Sequence, residues 1–234
     1  MNRGLQGAGP SAPGADHLVQ PGTGGVSPAM PSLRARLQRE PHRLGRGVYG
    51  LINCWWHRVK FALLGKRVSI GPMSRVYGKF RVIGAGRVRI GREALIIGDY
   101  VRPVTLIVDG PGAVIDAGDH VGFNGTVIHC FKSVRIGRLC NFAAAYISDS
   151  QSHSLAADRR TNLDANTAQA DVVFEENVWL AMNTVVSYGV TVGRNSVIGA
   201  LSMVTHSIPA NAVAYGVPAR VVKDVPERSE PEPE

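Results

Sequence analysis

Seven histidines are the residues of this 234-residue chain best suited to moving a proton near neutral pH: His17, His42, His57, His120, His129, His153 and His206. His153 stands apart by position. It closes a short regular stretch, and the run after it, Ser154 to Asp171, is rich in Asp, Asn, Arg and Ala and has no periodicity. A neutral imidazole at such a place can accept the proton of an alcohol. Ser154 beside it offers a hydroxyl, but no base and orienting acid surround it in a triad-like arrangement. Asp149, four residues before His153, is either an orienting carboxylate or a solvated corner residue. Cys54, Cys130 and Cys140 have neither zinc nor redox spacing, which points to reduced thiols in the cytoplasm.

The elements that must hold His153 are legible from Phe174 to Pro209. Lines of six residues open with Phe174, Leu180, Val186, Val192, Ile198 and Val204, all bulky and apolar. The residues that follow them are Glu175, Ala181, Ser187, Gly193, Gly199 and Thr205, mostly small. A helix repeats near 3.6 residues and a strand at 2, so a strict six fits neither. It fits an all-β parallel β-helix, in which three hexads close a triangular coil and each opener points inward. Upstream, hexads open at Ile136, Phe142 and Ser148, the third ending on His153. Ser154 to Asp171 is then a loop thrown out from one corner, and long loops in a regular solenoid are usually functional. Ile70-Gly71, Ile83-Gly84, Ile90-Gly91 and Ile97-Gly98 begin the β character, but their spacings of 13, 7 and 7 predict irregular first coils.

Four segments follow. Residues 1–32, with seven Gly and five Pro, are expected to be disordered. Residues 33–67 form a basic amphipathic helical segment. Ser32 to Glu40 could start a helix that Pro41 interrupts. Val48, Leu51, Ile52, Trp55, Val59 and Leu63 then recur at three- and four-residue steps up to Gly65. Residues 68–223 form the β-helix, and 224–234 an acidic, Pro-rich tail. Charge divides unevenly. Residues 1–92 hold 16 Lys+Arg against Asp16 and Glu40, a net of +14, and the remainder carries 10 against 16, a net of −6, which sum to +8. A basic helix with Trp55-Trp56 suits an anionic membrane interface, or else it covers the open end of the solenoid. No apolar run is long enough to span a bilayer, and Met1 to Gly14 lacks the apolar core of a signal peptide. Nucleic-acid binding through the basic part has no motif to support it.

The run from Asn177 to Val222, NVWLAMNTVVSYGVTVGRNSVIGALSMVTHSIPANAVAYGVPARVV, resembles the hexapeptide-repeat acyltransferases. Among these it is most similar to galactoside and maltose O-acetyltransferases and to O-acetyltransferases of polysaccharide biosynthesis. Asn-Val-Trp, Val-Ile-Gly-Ala and Gly-Val-Pro-Ala-Arg-Val-Val carry the resemblance, which extends over roughly residues 110–223. It implies a left-handed β-helix acting as a homotrimer, with acetyl-CoA in grooves between subunits and a sugar or glycan hydroxyl as acceptor. It implies His153 as the catalytic base and Asn124, in Phe123-Asn124-Gly125-Thr126, as the acceptor-binding residue. Trp179, Met182, Ala200, Thr205, His206, Arg220 and Lys223 fall on its cofactor-contacting positions, and no metal is expected. Two departures stand out. His206 replaces a lysine near the CoA phosphates, for which Arg220 and Lys223 could compensate, and Met182 replaces a small residue at the thioester. The rival readings are a non-catalytic β-helix scaffold and a zinc hydratase on the same fold. The hydratase pairs histidines five apart on one coil, whereas His120, His129 and His153 are spaced by 9 and 24.

Overall fold

The computed structural model describes residues 41–110, 112–151, 153, 157, 161 and 168–226, with side chains from residue 45. The expected tail at 1–32, the segment Ser32 to Glu40, Ser154 and residues 227–234 lie outside them. From Arg67 the described chain winds as a parallel β-solenoid of six coils and the start of a seventh. Each coil gives one strand to each of three sheets, here called faces. In the fourth coil these are Ser133–Ile136 on face one, Asn141–Ala143 on face two and Tyr146–Ser148 on face three.

The inward openers align in three columns. On face one Ile70, Ile90, Ala117, Ile136, Phe174 and Val192 are successive partners in the parallel register. Val76, Ile96, Phe123, Phe142, Leu180, Ile198 and Ala214 form the second column. Val82, Leu106, Ile128, Ile147, Val186 and Val204 form the third. All but the partly buried Val82 are buried. At mid-height the aromatic rings of Phe123, Phe142 and Phe174 stack, with centroids 5.9 and 4.8 Å apart. This dry prism is where the apolar area that stabilises the fold resides.

The early coils are more regular than the apolar–Gly pairs predict. Ile70, Val76 and Val82 open consecutive hexads, while Ile83 faces outward and is 48% exposed. Only Ile70-Gly71 and Ile90-Gly91 are opener and corner. A Cβ on Gly91 would lie 2.4–2.6 Å from Asp119 and the backbone of the next coil, so glycine is required there. Irregularity enters as inserted corner residues, as between Ile96 and Leu106. The opener after Phe142 is Ile147, not Ser148. In this coil the left-handed residue, Ala144 (φ 49°), falls two positions after the opener, whereas in the next coil Asn183 (φ 58°) falls three after Leu180. The corner is therefore one residue shorter.

The helix Pro41–Leu63 has Pro41 at its first position, which a fixed φ and a missing N–H suit. The helix lies across the first coil. Gly50, Cys54, His57 and Phe61 face inward, with Phe61 edge-on to Phe80 at 5.4 Å. Asn53 Nδ2 donates to Val76 O at 3.1 Å, Arg58 donates to Gly71 O, and Lys66 Nζ donates to Gly84 O at 2.7 Å. These bonds satisfy carbonyls near the open edge of the solenoid. The far edge is closed by Ala219–Asp224, which folds back antiparallel on Ala212–Gly216.

Candidate functional site

Asp149 builds the root of the excursion loop. Its carboxylate is fully buried and accepts three backbone N–H bonds of 2.7 Å, from Phe131, Lys132 and Ser133 of the coil before. It neither orients His153 nor faces solvent, so both sequence readings of Asp149 are replaced. On the loop's return side Asp171 pairs with Lys132 Nζ at 2.9 Å and Arg135 Nη2 at 3.2 Å. Between them Gln151 N–H donates to Ala168 O and Ala170 N–H to Asp149 O, both at 2.9 Å, and Ser150 bridges Gln169 antiparallel. The loop thus leaves the prism as a short two-stranded stem. His153 stands two residues beyond that stem, exposed, with its N–H on Gln151 O at 2.8 Å.

Asn124 ends its strand on face two of the third coil, in register with Ile97 below and Ala143 above. Its side-chain Oδ1 is buried and has no hydrogen-bond partner among the described residues. Such an acceptor is costly unless a donor reaches it, and a ligand hydroxyl is the type of donor that fits. Met182 and Ala200 follow at the same corner of the fifth and sixth coils, both exposed, with Leu201 N–H on Met182 O at 2.9 Å. Asn124, Met182 and Ala200 therefore share the edge between faces two and three.

His153, Thr205 and His206 belong to the edge between faces three and one. Thr205 Oγ1 lies 2.9 Å from His206 Nδ1, and a recess of about 250 Å³ joins His206 and Ser207 to Arg220 of the terminal strand. Trp179 lies on face two, half exposed, between Asn141 and Val197 in register. It lines an open cleft of about 1020 Å³ with Asn195, Asn211 and Asp224, the last being next to Lys223. The nine site residues read from the sequence thus occupy two edges and one face of a single prism, so one copy of the chain does not gather them into one pocket.

Two features escaped the sequence reading. Arg102 reaches along the Asn124 edge, its Nε donating to Gly125 O at 2.7 Å and its Nη2 to Ala144 O at 2.6 Å. On face three His129 Nε2 lies 2.8 Å from Asp109 Oδ2, with its ring 4.3 Å from that of Phe131. Register places His129 beside Ser148, at the foot of the loop. The contacts of both depend on partners 20 or more residues away, and no local spacing signals them. Among the described residues no three His, Cys, Asp or Glu converge as a metal site.

Comparison with known proteins now adds to this geometry. Residues 171–206 match the family described as bacterial transferase hexapeptide (six repeats). WbbJ of Escherichia coli (strain K12), named as a lipopolysaccharide biosynthesis O-acetyl transferase, is 36% identical over 139 residues, which cover 53% of this chain and 68% of the relative. The chain belongs to the hexapeptide transferases. The galactoside O-acetyltransferase of the same E. coli strain is 33% identical over 129 residues, covering 55% of this chain. Only 62% of that relative's own length is spanned. Among solved structures, an N-acyltransferase from Bacillus cereus in complex with dTDP and 3-hydroxybutyryl-CoA superposes with a TM-score of 0.58 at 17% identity, covering 71% of this chain and 87% of its own. At that identity the likeness concerns the fold of this hexapeptide transferase alone.

Proposed function

We propose that the protein transfers an acetyl group from acetyl-CoA to a hydroxyl of a sugar or of a glycan or glycolipid intermediate. The observation that carries the reading is His153, an exposed imidazole held just beyond a pinned loop root in a hexapeptide transferase. The relatives' names give the reaction class, O-acetyl transfer. In this reading His153 takes the proton as the acceptor oxygen attacks the thioester carbonyl carbon. The new C–O bond replaces the C–S bond, and CoA leaves as the thiol after protonation. A groove N–H stabilises the oxyanion. Asn124 Oδ1 receives a donor from the acceptor.

Trp179, Met182 and Ala200 offer an apolar path for the pantetheine, and Thr205, His206, Arg220 and Lys223 a polar and cationic end for the phosphates. The split of these residues over two edges supports a homotrimer, in which a neighbouring copy supplies the edge that one prism lacks. The chain works in the cytoplasm in this reading, which its three unpaired, buried cysteines support. Among the described residues no helix is long and apolar enough to cross a membrane.

The test is His153→Ala assayed with acetyl-CoA and a panel of activated sugars. The expected loss in kcat is about 10²–10⁴, the usual contribution of a general base. CoA should raise the melting temperature of the wild type and the variant alike, because a native-state ligand stabilises by mass action. Ser154→Ala should be mild. An active His153→Ala enzyme, or an acylated protein visible by intact mass, overturns the assignment.

A further inference from the structure

The helix Pro41–Leu63 is amphipathic in the opposite sense from a simple lid. A helix that only covers a core turns its apolar stripe inward. Here Gly50, Cys54, His57 and Phe61 face inward, and of the stripe at three- and four-residue steps Leu51 and Val59 are partly buried while the rest faces out. Val48, Ile52, Trp55, Trp56 and Leu63 are 50–79% exposed. The sequence around it is strongly basic, with Glu93 and Asp99 the acidic residues that come beside Leu51 and Arg46. Residues 41–92 contain twelve Lys and Arg and not one Asp or Glu. Among the described residues only Arg89 and Arg92 of this set are paired with carboxylates, those of Asp116 and Asp119.

We propose that this outward helix face docks on an anionic lipid bilayer, with Trp55 and Trp56 at the headgroup boundary and the flanking cations against lipid phosphates. Indoles favour that boundary because one end of the ring system is apolar and the other hydrogen-bonds. Charge complementarity selects the occupant. A second copy of the same face would set one strongly net-positive field against another. Residues 1–40 are themselves net positive, with four Arg against Asp16 and Glu40. The acidic stretch 224–234 has charge but only Val225 and prolines as apolar groups. An anionic bilayer supplies both apolar depth and negative charge.

The test uses the full chain and sedimentation with vesicles of phosphatidylcholine alone or mixed with phosphatidylglycerol. It involves no acyl transfer, so its outcome is independent of the proposed reaction. The protein is expected to sediment with the mixed vesicles, less so at high salt, as screened attraction requires. Trp55→Ser/Trp56→Ser should lower partitioning by about tenfold or more, since two indoles no longer leave water. Its melting temperature should stay unchanged, because both residues are exposed. In a Trp179→Phe background the helix indoles alone should shift to the blue on vesicle addition. Equal partitioning of wild type and double variant overturns the proposal. So does wild type that stays in the supernatant at low salt, or a double variant whose only change is a smaller oligomer, which would assign the face to a second copy.

Discussion

Asp149 is the side chain on which the position of His153 depends, although its carboxylate bonds to Phe131, Lys132 and Ser133 and not to the imidazole. Its carboxylate collects three N–H groups of the preceding coil in a buried corner. Asp149→Ala leaves those donors without an acceptor, and a destabilisation of about 3–5 kcal/mol is expected in denaturant melts. Asp149→Asn keeps one acceptor oxygen. It should fold, bind CoA normally and lose kcat, because the loop root loosens while the residues proposed to contact CoA lie elsewhere. The same corner sets the chemistry of Cys130, whose thiol is pushed up to about 12 by burial and then by the Asp149 charge. Burial likewise pushes Cys140 to about 11. Both thiols are protonated when folded and ionise more readily when unfolded. Their contribution to stability is complete below the ordinary thiol value of 9.0 and is lost as pH rises toward 11–12. Alkylation at neutral pH, followed by intact mass, should leave both unmodified until denaturant is added. The loop beside His153 was legible from the sequence because an aperiodic run interrupts a strict six, but His153 stands out on that loop instead of closing a hexad opened by Ser148. Asp149 was not, since its partners are 16 to 18 residues back and adjacent only once the coil has closed.

The helix shows where periodicity is informative and where it stops. Apolar steps at three and four residues identified a helix near its observed span, yet they could not say which side meets the core. Small residues decided that. Gly50 packs where a Cβ would sit 2.8 Å from the Tyr77 ring, so the helix comes close only on its Gly50 side. His57 comes in with it, packed 5.6 and 5.7 Å from the Phe61 and Phe80 rings. Burial, with a smaller push from Lys60, lowers the His57 pKa from its usual 6.5. A base depressed in the folded state contributes stability that is complete above 6.5 and fades as pH falls below it. Acid should therefore release the helix before the coils melt. Limited proteolysis across pH, read by mass, should show cleavage near Arg58 and Lys60 appearing on acidification. His57→Phe should remove that onset. Corner length is the other element-scale quantity that hydrophobic spacing reads poorly. Moving one left-handed residue by a single position converted an expected opener at Ser148 into Ile147.

Across the whole molecule the three columns make a quasi-one-dimensional stack, each coil touching only its neighbours. The late hexads were fully legible: Leu180, Val186, Val192 and Ile198 are all at most 1% exposed. Val192→Asp would bury an unpaired charge in the last full coil and is expected to cost several kcal/mol, roughly the margin of a typical domain. The check is a melt of the purified variant, with loss of the cooperative transition as the expected outcome. The division of the candidate site over two prism edges was not legible, because hexad phase says which residues face out but not which corner a later coil brings beside them. A stack of this kind also has no intrinsic length. Every coil is a template for the next, and only what lies at the two ends stops addition. Asn53 and Arg58 occupy carbonyls at one end and Ala219–Asp224 folds over the other, so the protein carries a chain terminator at each growth point. Stripped of its helix, a chain starting at Lys66 has one live end and one covered end, so it should pair end to end once and no further, and analytical ultracentrifugation should find its assembly doubled in mass.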